Sequence, residues 1–188
     1  MNFCTDFTPD SLPQAAIVNP KYILDIGAVR PYEGRPAIIT DPKDGECALQ
    51  QNGIDLRLDE VQVAEGFTSF HLNKVGDNKC SYWSVMPLCD EMFHLEVGKQ
   101  YAFDFMEEIE VPTGMAAYLF IRSSMNRYSG IFTVGLYDSG FRGRLGGIFR
   151  PFIDTYIQKG CRAAQVVFFT SDSNGAYAGQ YQDQKKQV

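Results

Sequence analysis

The chain has 188 residues, with 23 acidic side chains against 17 basic ones, a formal net charge of -6, and hydrophobic and aromatic fractions of 45% and 13%. Such a composition supports one folded domain burying roughly 70% of its unfolded surface, and it excludes global disorder. The negative field excludes a DNA-coating protein, so a nucleotide site must rest on a local cluster of arginines and backbone N–H groups.

In chain order, Met1 to Asp10 carries two aspartates and no lysine or arginine, unlike a signal peptide. No stretch approaches the roughly 18 consecutive apolar residues of a membrane span. A cytoplasmic protein with no membrane partner is expected. Six of the nine prolines fall within the first 48 residues, at Pro9, Pro13, Pro20, Pro31, Pro36 and Pro42. Proline lacks a donor and fixes φ, so long helices and central strands are not expected there. A short helix is predicted over Pro20 to Asp25, because Asn19 can cap it and proline is tolerated in a first turn.

From Asn52 onward, short β-branched and aromatic runs are cut by Gly, Asn, Asp and Pro. They predict strands at Ile54–Val63, Tyr101–Phe105, Met115–Ile121, Ile131–Leu136, Gly146–Phe149 and Ala164–Phe169. Glu107 to Val111 alternates acidic and apolar residues, which suits a strand with one wet face. Many short strands without a long amphipathic helix make the chain all-β: a sandwich, jelly roll or barrel. The tail from Ser171 to Val188 is polar and glycine-bearing and is expected to be mobile. Cys4, Cys47, Cys80, Cys89 and Cys161 are scattered and never form C-x-x-C. With only His71 and His94 to help them, neither a zinc site nor a disulfide framework is expected.

Four polar islands interrupt the β pattern: Asn52-Gly53-Ile54-Asp55-Leu56-Arg57, Arg122-Ser123-Ser124, Asp138-Ser139-Gly140-Phe141-Arg142-Gly143 and Gly160-Cys161-Arg162-Ala163-Ala164-Gln165. Singly, each reads as an ordinary turn or strand end. In order, they resemble the four motifs of the trimeric dUTPase and dCTP deaminase superfamily. Tyr177-Ala178-Gly179-Gln180-Tyr181-Gln182 resembles the tail motif shared by its deaminases and archaeal-type dUTPases. The resemblance spans about Gln50 to Gln182 and implies a distorted jelly roll of β-clip type with short helices, assembled as a homotrimer whose sites are shared between neighbours. It implies a β domain over residues 50–170, preceded by a proline-rich extension over 1–49 packed on it and followed by a flexible arm over 171–188.

The implied reaction is Mg²⁺-dependent hydrolysis of dUTP to dUMP and pyrophosphate. It needs a water aimed at the α-phosphorus, a carboxylate to take its proton, and cations to hold the leaving group. By resemblance, Asp138 is that carboxylate, and Phe141 lies under the deoxyribose and leaves no room for a 2′-hydroxyl. Arg122, Ser123 and Ser124 grip the triphosphate, Asp55 holds the hydrated Mg²⁺ through water, and Gln165 lies near the phosphates. Arg142 joins the substrate-binding set, and Tyr177, Tyr181 and Gln182 close over the nucleotide. Arg162 suits a phosphate contact or a structural ion pair equally.

Two departures bear on the activity. The superfamily's deaminases carry a glutamate ten residues after the motif-three aspartate, where this chain has Ile148, so deamination is disfavoured. The segment from Arg122 to Asp138 is sixteen residues in register, two or three short of the usual hairpin that reads the base. Base reading then falls to the backbone of Phe132 to Leu136, Gly135 included. A diphosphatase for dCTP or another pyrimidine nucleotide is the alternative enzyme, and a non-catalytic nucleotide-binding regulator is the alternative from another class.

Overall fold

The computed structural model describes residues 16–65, 71–73, 76–78, 82–173, 175–179 and 182–183. Tyr181, Cys4 and Cys80 lie outside the described residues, as does the side chain of His71. In chain order the elements are α1 (Pro20–Asp25), β1 (Val29–Pro31), β2 (Ile54–Glu65), β3 (His71–Asn73), β4 (Gly76–Asn78), β5 (Tyr82–Val85) and β6 (Met92–Leu95). They continue with β7 (Tyr101–Glu110), β8 (Met115–Ile121), α2 (Ser123–Tyr128), β9 (Gly130–Thr133), β10 (Arg142–Pro151), β11 (Thr155–Gln158) and β12 (Arg162–Thr170). No described helix is long and apolar enough to cross a membrane.

The main sheet runs β8-β12-β2-β7-β10-β9, with β1 on β7, β5 on β2, and separate β6–β11 and β3–β4 pairs. It curls into a distorted jelly roll around a core that includes Ile54, Leu56, Leu58, Phe103, Phe105 and Phe149, each at most 1% exposed. The central strand β2 is covered on both faces, so its polar residues go inside with its leucines. Asp55 is 3% exposed and Asp59 1%. Buried carboxylates must find partners, and their partners organise much of the molecule.

Asn19 caps α1 by accepting from Lys21 N, as expected, and Ile23 of that helix is fully buried. The proline-rich stretch is tied to the sheet. Val18 N donates to Phe168 O at 2.8 Å, Val29 to Pro31 pair with Ile109 to Glu107, and Asp55 N donates to Ala48 O at 2.8 Å.

Several element boundaries differ from the periodicity. The run Ile131–Leu136 stops as a strand at Thr133: residues 130–133 pair with β10, after which the chain leaves the sheet and makes a lone bridge between Tyr137 and Ala117. The strand at Gly146–Phe149 instead extends to Arg142–Pro151, because β7 supplies partners for polar Arg142 and Arg144 as readily as for apolar residues. Tyr101–Phe105 and Glu107–Val111 merge into one strand. Within it Glu107 is not on a wet face; it is 1% exposed, held by Arg57 Nε at 2.7 Å and by Arg57 N at 2.9 Å, while Glu108 and Glu110 face Arg30. Sheet breaks between Leu58 and Glu60 and between Arg144 and Gly146 re-aim side chains as bulges do.

Candidate active site

Three of the four islands meet around Asp55. Register pairs Gln165 with Asp55 across β12 and β2, and Gln165 Nε2 donates to Asp55 Oδ1 at 3.1 Å. Arg162 Nη1 stands 3.3 Å from Asp55 Oδ2, and Arg122 Nε 3.6 Å from the same oxygen. Burial raises the Asp55 pKa, partly opposed by Arg122, Gln165 and Arg162. A glycine makes this meeting possible. A Cβ at Gly53 would lie 2.7 Å from both Gln165 Cγ and Val166 O, closer than real contacts allow.

The two arginines divide their work differently. Arg162 also donates to Cys47 O at 2.7 Å and Gly45 O at 2.8 Å, with Glu46 3.6 Å away, so it pins the proline-rich loop. Of the two readings open for it, the geometry gives the structural ion pair. Arg122 donates to Arg162 O at 3.0 Å but keeps its side chain 38% exposed, leaving a face for an anion. Ser123 and Ser124 follow it as exposed residues of the first turn of α2; the island begins a helix instead of ending a strand.

The remaining island builds a separate cleft. Gly135, Leu136, Tyr137, Asp138, Phe141, Gly143, Arg144, Gly146, Asp104 and Tyr177 enclose about 440 Å³. Asp138 is exposed at its edge, and Ser139 is buried beneath the turn, where its Oγ accepts from Gly114 N at 3.2 Å. Phe141 is 8% exposed and packs between Tyr137, 5.1 Å away, and Tyr177, 5.5 Å away in an edge contact. The Tyr137 hydroxyl donates to Gly146 O at 3.0 Å, and burial pushes its pKa up to about 12, so it stays a neutral donor.

The tail docks on this turn. Tyr177 N donates to Ser139 O at 2.6 Å, and Gln182 donates to Gly140 O at 2.9 Å while accepting from Arg142 N at 3.1 Å. Gly140 has φ +80°, and a Cβ there would stand 2.9 Å from Ala176 Cβ, so glycine serves both the turn and the closing tail. Arg142 itself points away from this cleft. Its guanidinium pairs with Asp183 and lines a neighbouring cavity with Arg30, Tyr32 and Arg144.

One chain does not bring the two halves together. Ala117 faces Tyr137, and Arg122, just past the end of β8, lies five residues beyond Ala117, about 17 Å at strand rise. Sequence reasoning missed Asp104, Arg144 and Gly146 as cleft residues. The available signals were a lone acid within the aromatic run Tyr101-Ala102-Phe103-Asp104-Phe105 and the Gly146-Gly147 pair inside a strand, which marks a close approach. The described cysteines Cys47, Cys89 and Cys161 are free, and His94 stacks on Tyr156 at 4.5 Å, next to a cavity that Tyr156 lines with Ser124, Cys161 and Arg162.

A family model described as dCTP deaminase-like matches residues 32–171. The probable deoxyuridine 5'-triphosphate nucleotidohydrolase of Halobacterium salinarum is 30% identical over 163 residues, covering 82% of this chain and 95% of that protein. The deoxyuridine 5'-triphosphate nucleotidohydrolase of Methanocaldococcus jannaschii is 29% identical over 138 residues, covering 72% and 88%. Among solved structures, the 2'-deoxycytidine 5'-triphosphate deaminase from Agrobacterium tumefaciens superposes with a TM-score of 0.60 at 16% identity, over 84% of this chain. The present chain spans about half of that deaminase's length (48%), and the likeness is one of fold. With the family model covering most of its length and an archaeal relative matched nearly end to end, the chain belongs to the dCTP deaminase-like family.

Proposed function

We propose that this protein hydrolyses dUTP to dUMP and pyrophosphate. The observation that carries the reading is the motif-three cleft, where an exposed Asp138 stands at the mouth of a pocket floored by Phe141 and closed by Tyr177. Asp138 takes a proton from the attacking water and orients it toward the α-phosphorus. Phe141 supports the sugar face, with its ring fixed by Tyr137 and Tyr177. Arg122, with Ser123 and Ser124, binds the triphosphate by a planar guanidinium and short hydroxyl donors. Arg142 orders the tail through Gln182 and Asp183. Ile148 leaves position 148 without the acid that deamination of dCTP would use there.

The residues fit a divalent cation through water. Among the described residues no group of three His, Cys, Asp or Glu side chains could hold a metal ion directly. Mg²⁺ suits such a place because it keeps several waters and takes the rest of its shell from phosphate oxygens. Gln165, Arg162 and Arg122 occupy at most three of the roughly four acceptor positions of the Asp55 carboxylate. The remaining position and the Gln165 carbonyl oxygen would hold water molecules of Mg²⁺. When bound, the cation offsets charge on the triphosphate and the departing pyrophosphate.

Because one chain separates Arg122 from Asp138, the working site combines the Arg122 cluster of one subunit with the Asp138 cleft of another, in a homotrimer. The test is pyrophosphate release from a panel of deoxynucleoside triphosphates with Mg²⁺. We expect turnover of dUTP, and a loss of roughly 100- to 10,000-fold in Asp138→Asn with binding of a non-hydrolysable dUTP analogue retained. Unchanged turnover in that variant would remove Asp138 from the mechanism.

A further inference from the structure

At the end of the cleft away from Phe141 stands Asp104 on β7, half-buried. Register pairs it with Gly146 of β10. A Cβ at Gly146 would lie 3.2 Å from Asp104 Oδ1 and 2.7 Å from Phe103 O, so the bare glycine is what lets this carboxylate face the pocket across the neighbouring strand. Gln62 Nε2 donates to Asp104 Oδ2 at 3.2 Å and orients the group. The Phe141 ring leans over Gly143, its Cζ 3.1 Å from where a Cβ would stand. Gly146 lies three residues further on, just past the break between Arg144 and Gly146.

An ionised carboxylate only accepts hydrogen bonds, at about four positions. Uracil presents a carbonyl at ring position 4, whereas cytosine presents an amino group there, and carboxylates pair with that amine. We propose that Asp104 reads the base, and that the protein hydrolyses dCTP to dCMP and pyrophosphate in addition to dUTP. The inference rests on the triphosphate site proposed above. In this step the water oxygen forms a bond to the α-phosphorus, and the bond from that phosphorus to the oxygen bridging the β-phosphate breaks. The electron pair leaves with pyrophosphate, the proton goes to Asp138, and the 4-amino group stays on the ring. Asp104 serves here as an acceptor for the amine. It lies two residues short, by register, of Ala102, the partner of Ile148, where the deaminases' acid would stand.

Steady-state rates with dCTP and dUTP, scored separately for pyrophosphate and ammonia, test the proposal in the wild type, Asp104→Asn and Asp104→Ser. Thermal melts confirm that both variants fold. The wild type is expected to release pyrophosphate from both nucleotides and no ammonia. In both variants kcat/KM for dCTP should fall about tenfold or more relative to dUTP. The side-chain amide introduced by Asp104→Asn would offer an N–H to the uracil carbonyl, so dUTP turnover is expected to fall less than dCTP turnover in that variant. Turnover of dUTP without dCTP in the wild type, an unchanged dCTP to dUTP ratio in the variants, or ammonia release from dCTP would each overturn it. If neither nucleotide is turned over, the hydrolase reading fails. Binding of α,β-imido dCTP and dUTP then decides the base-reading role alone: Asp104→Asn must lower the dCTP to dUTP affinity ratio about tenfold, and an unchanged ratio refutes the role.

Discussion

Asp59 is 1% exposed, yet it is surrounded by three cations: Arg144 at 2.6 Å, Arg35 at 2.7 Å and Lys159 at 3.2 Å. These come from β10, the proline-rich loop and the turn before β12, so one carboxylate ties three distant segments to β2. Burial pushes the Asp59 pKa up, but the hydrogen bonds from Arg35, the ion pair with Lys159 and the charge of Arg144 outweigh it and leave it below its ordinary value of 3.8. The native state therefore holds the carboxylate ionised where the unfolded chain would protonate it. Its stabilisation is complete above about pH 3.8 and is lost as pH falls further. Asp59→Asn should lower stability at neutral pH by on the order of 3 kcal/mol. Urea unfolding at a series of pH values should show the gap to wild type closing as pH falls below about 4; a constant gap would place the effect outside the carboxylate's charge. Glu107 has the opposite sign. Burial raises its pKa and Arg57 only partly offsets this, so its share of stability is present at low pH and falls as pH rises through the raised value.

At the scale of elements, the contact between the start of β2 and the start of β12 sets the cluster around Asp55, the proposed phosphate end of the site. Gly53 lets Gln165 lie across β2 and reach Asp55. In Gly53→Ala the new methyl would meet Gln165 Cγ, which can move, and Val166 O, which as backbone cannot. The strands must separate. We expect a stability loss of about 1–3 kcal/mol and weaker binding of a non-hydrolysable dUTP analogue in titration calorimetry. Gly45→Ala, with no atom within 4 Å of the added Cβ, should leave both unchanged and serves as the control. For the same reason the motif glycines were readable from sequence while their purpose was not. Gly53 and Gly140 sit within recognisable islands, but the atoms they avoid, on Gln165, Val166 and Ala176, come from 36 to 113 residues away.

For the whole molecule, the separation of Arg122 from Asp138 makes the proposed shared site testable. If sites form between subunits, Asp138→Asn and Arg122→Ala homotrimers each lack one half of every site. Mixed trimers contain some sites in which the intact Asp138 of one variant meets the intact Arg122 of the other. Denaturing and refolding the two variants together should recover a measurable fraction of wild-type dUTP turnover from two nearly inactive parents. A mixture no more active than its parents would show that each chain completes its own site.

The sequence by itself determined the chemistry-bearing islands and the strand-rich character of the chain. Asp55, Arg122, Asp138, Phe141 and Gln165 lie within short motifs that singly read as ordinary turns or strand ends, and it is their order, through the resemblance to the superfamily, that marks them. Only the tertiary structure decided that Arg162 pins the loop at Gly45 and Cys47, that Glu107 is buried, and that Asp104 enters the cleft beside Asp138. Each depends on cross-strand register and on bulges. One residue of slip turns a side chain from solvent to core, and no local pattern in a strand records which residue of a distant partner it will face.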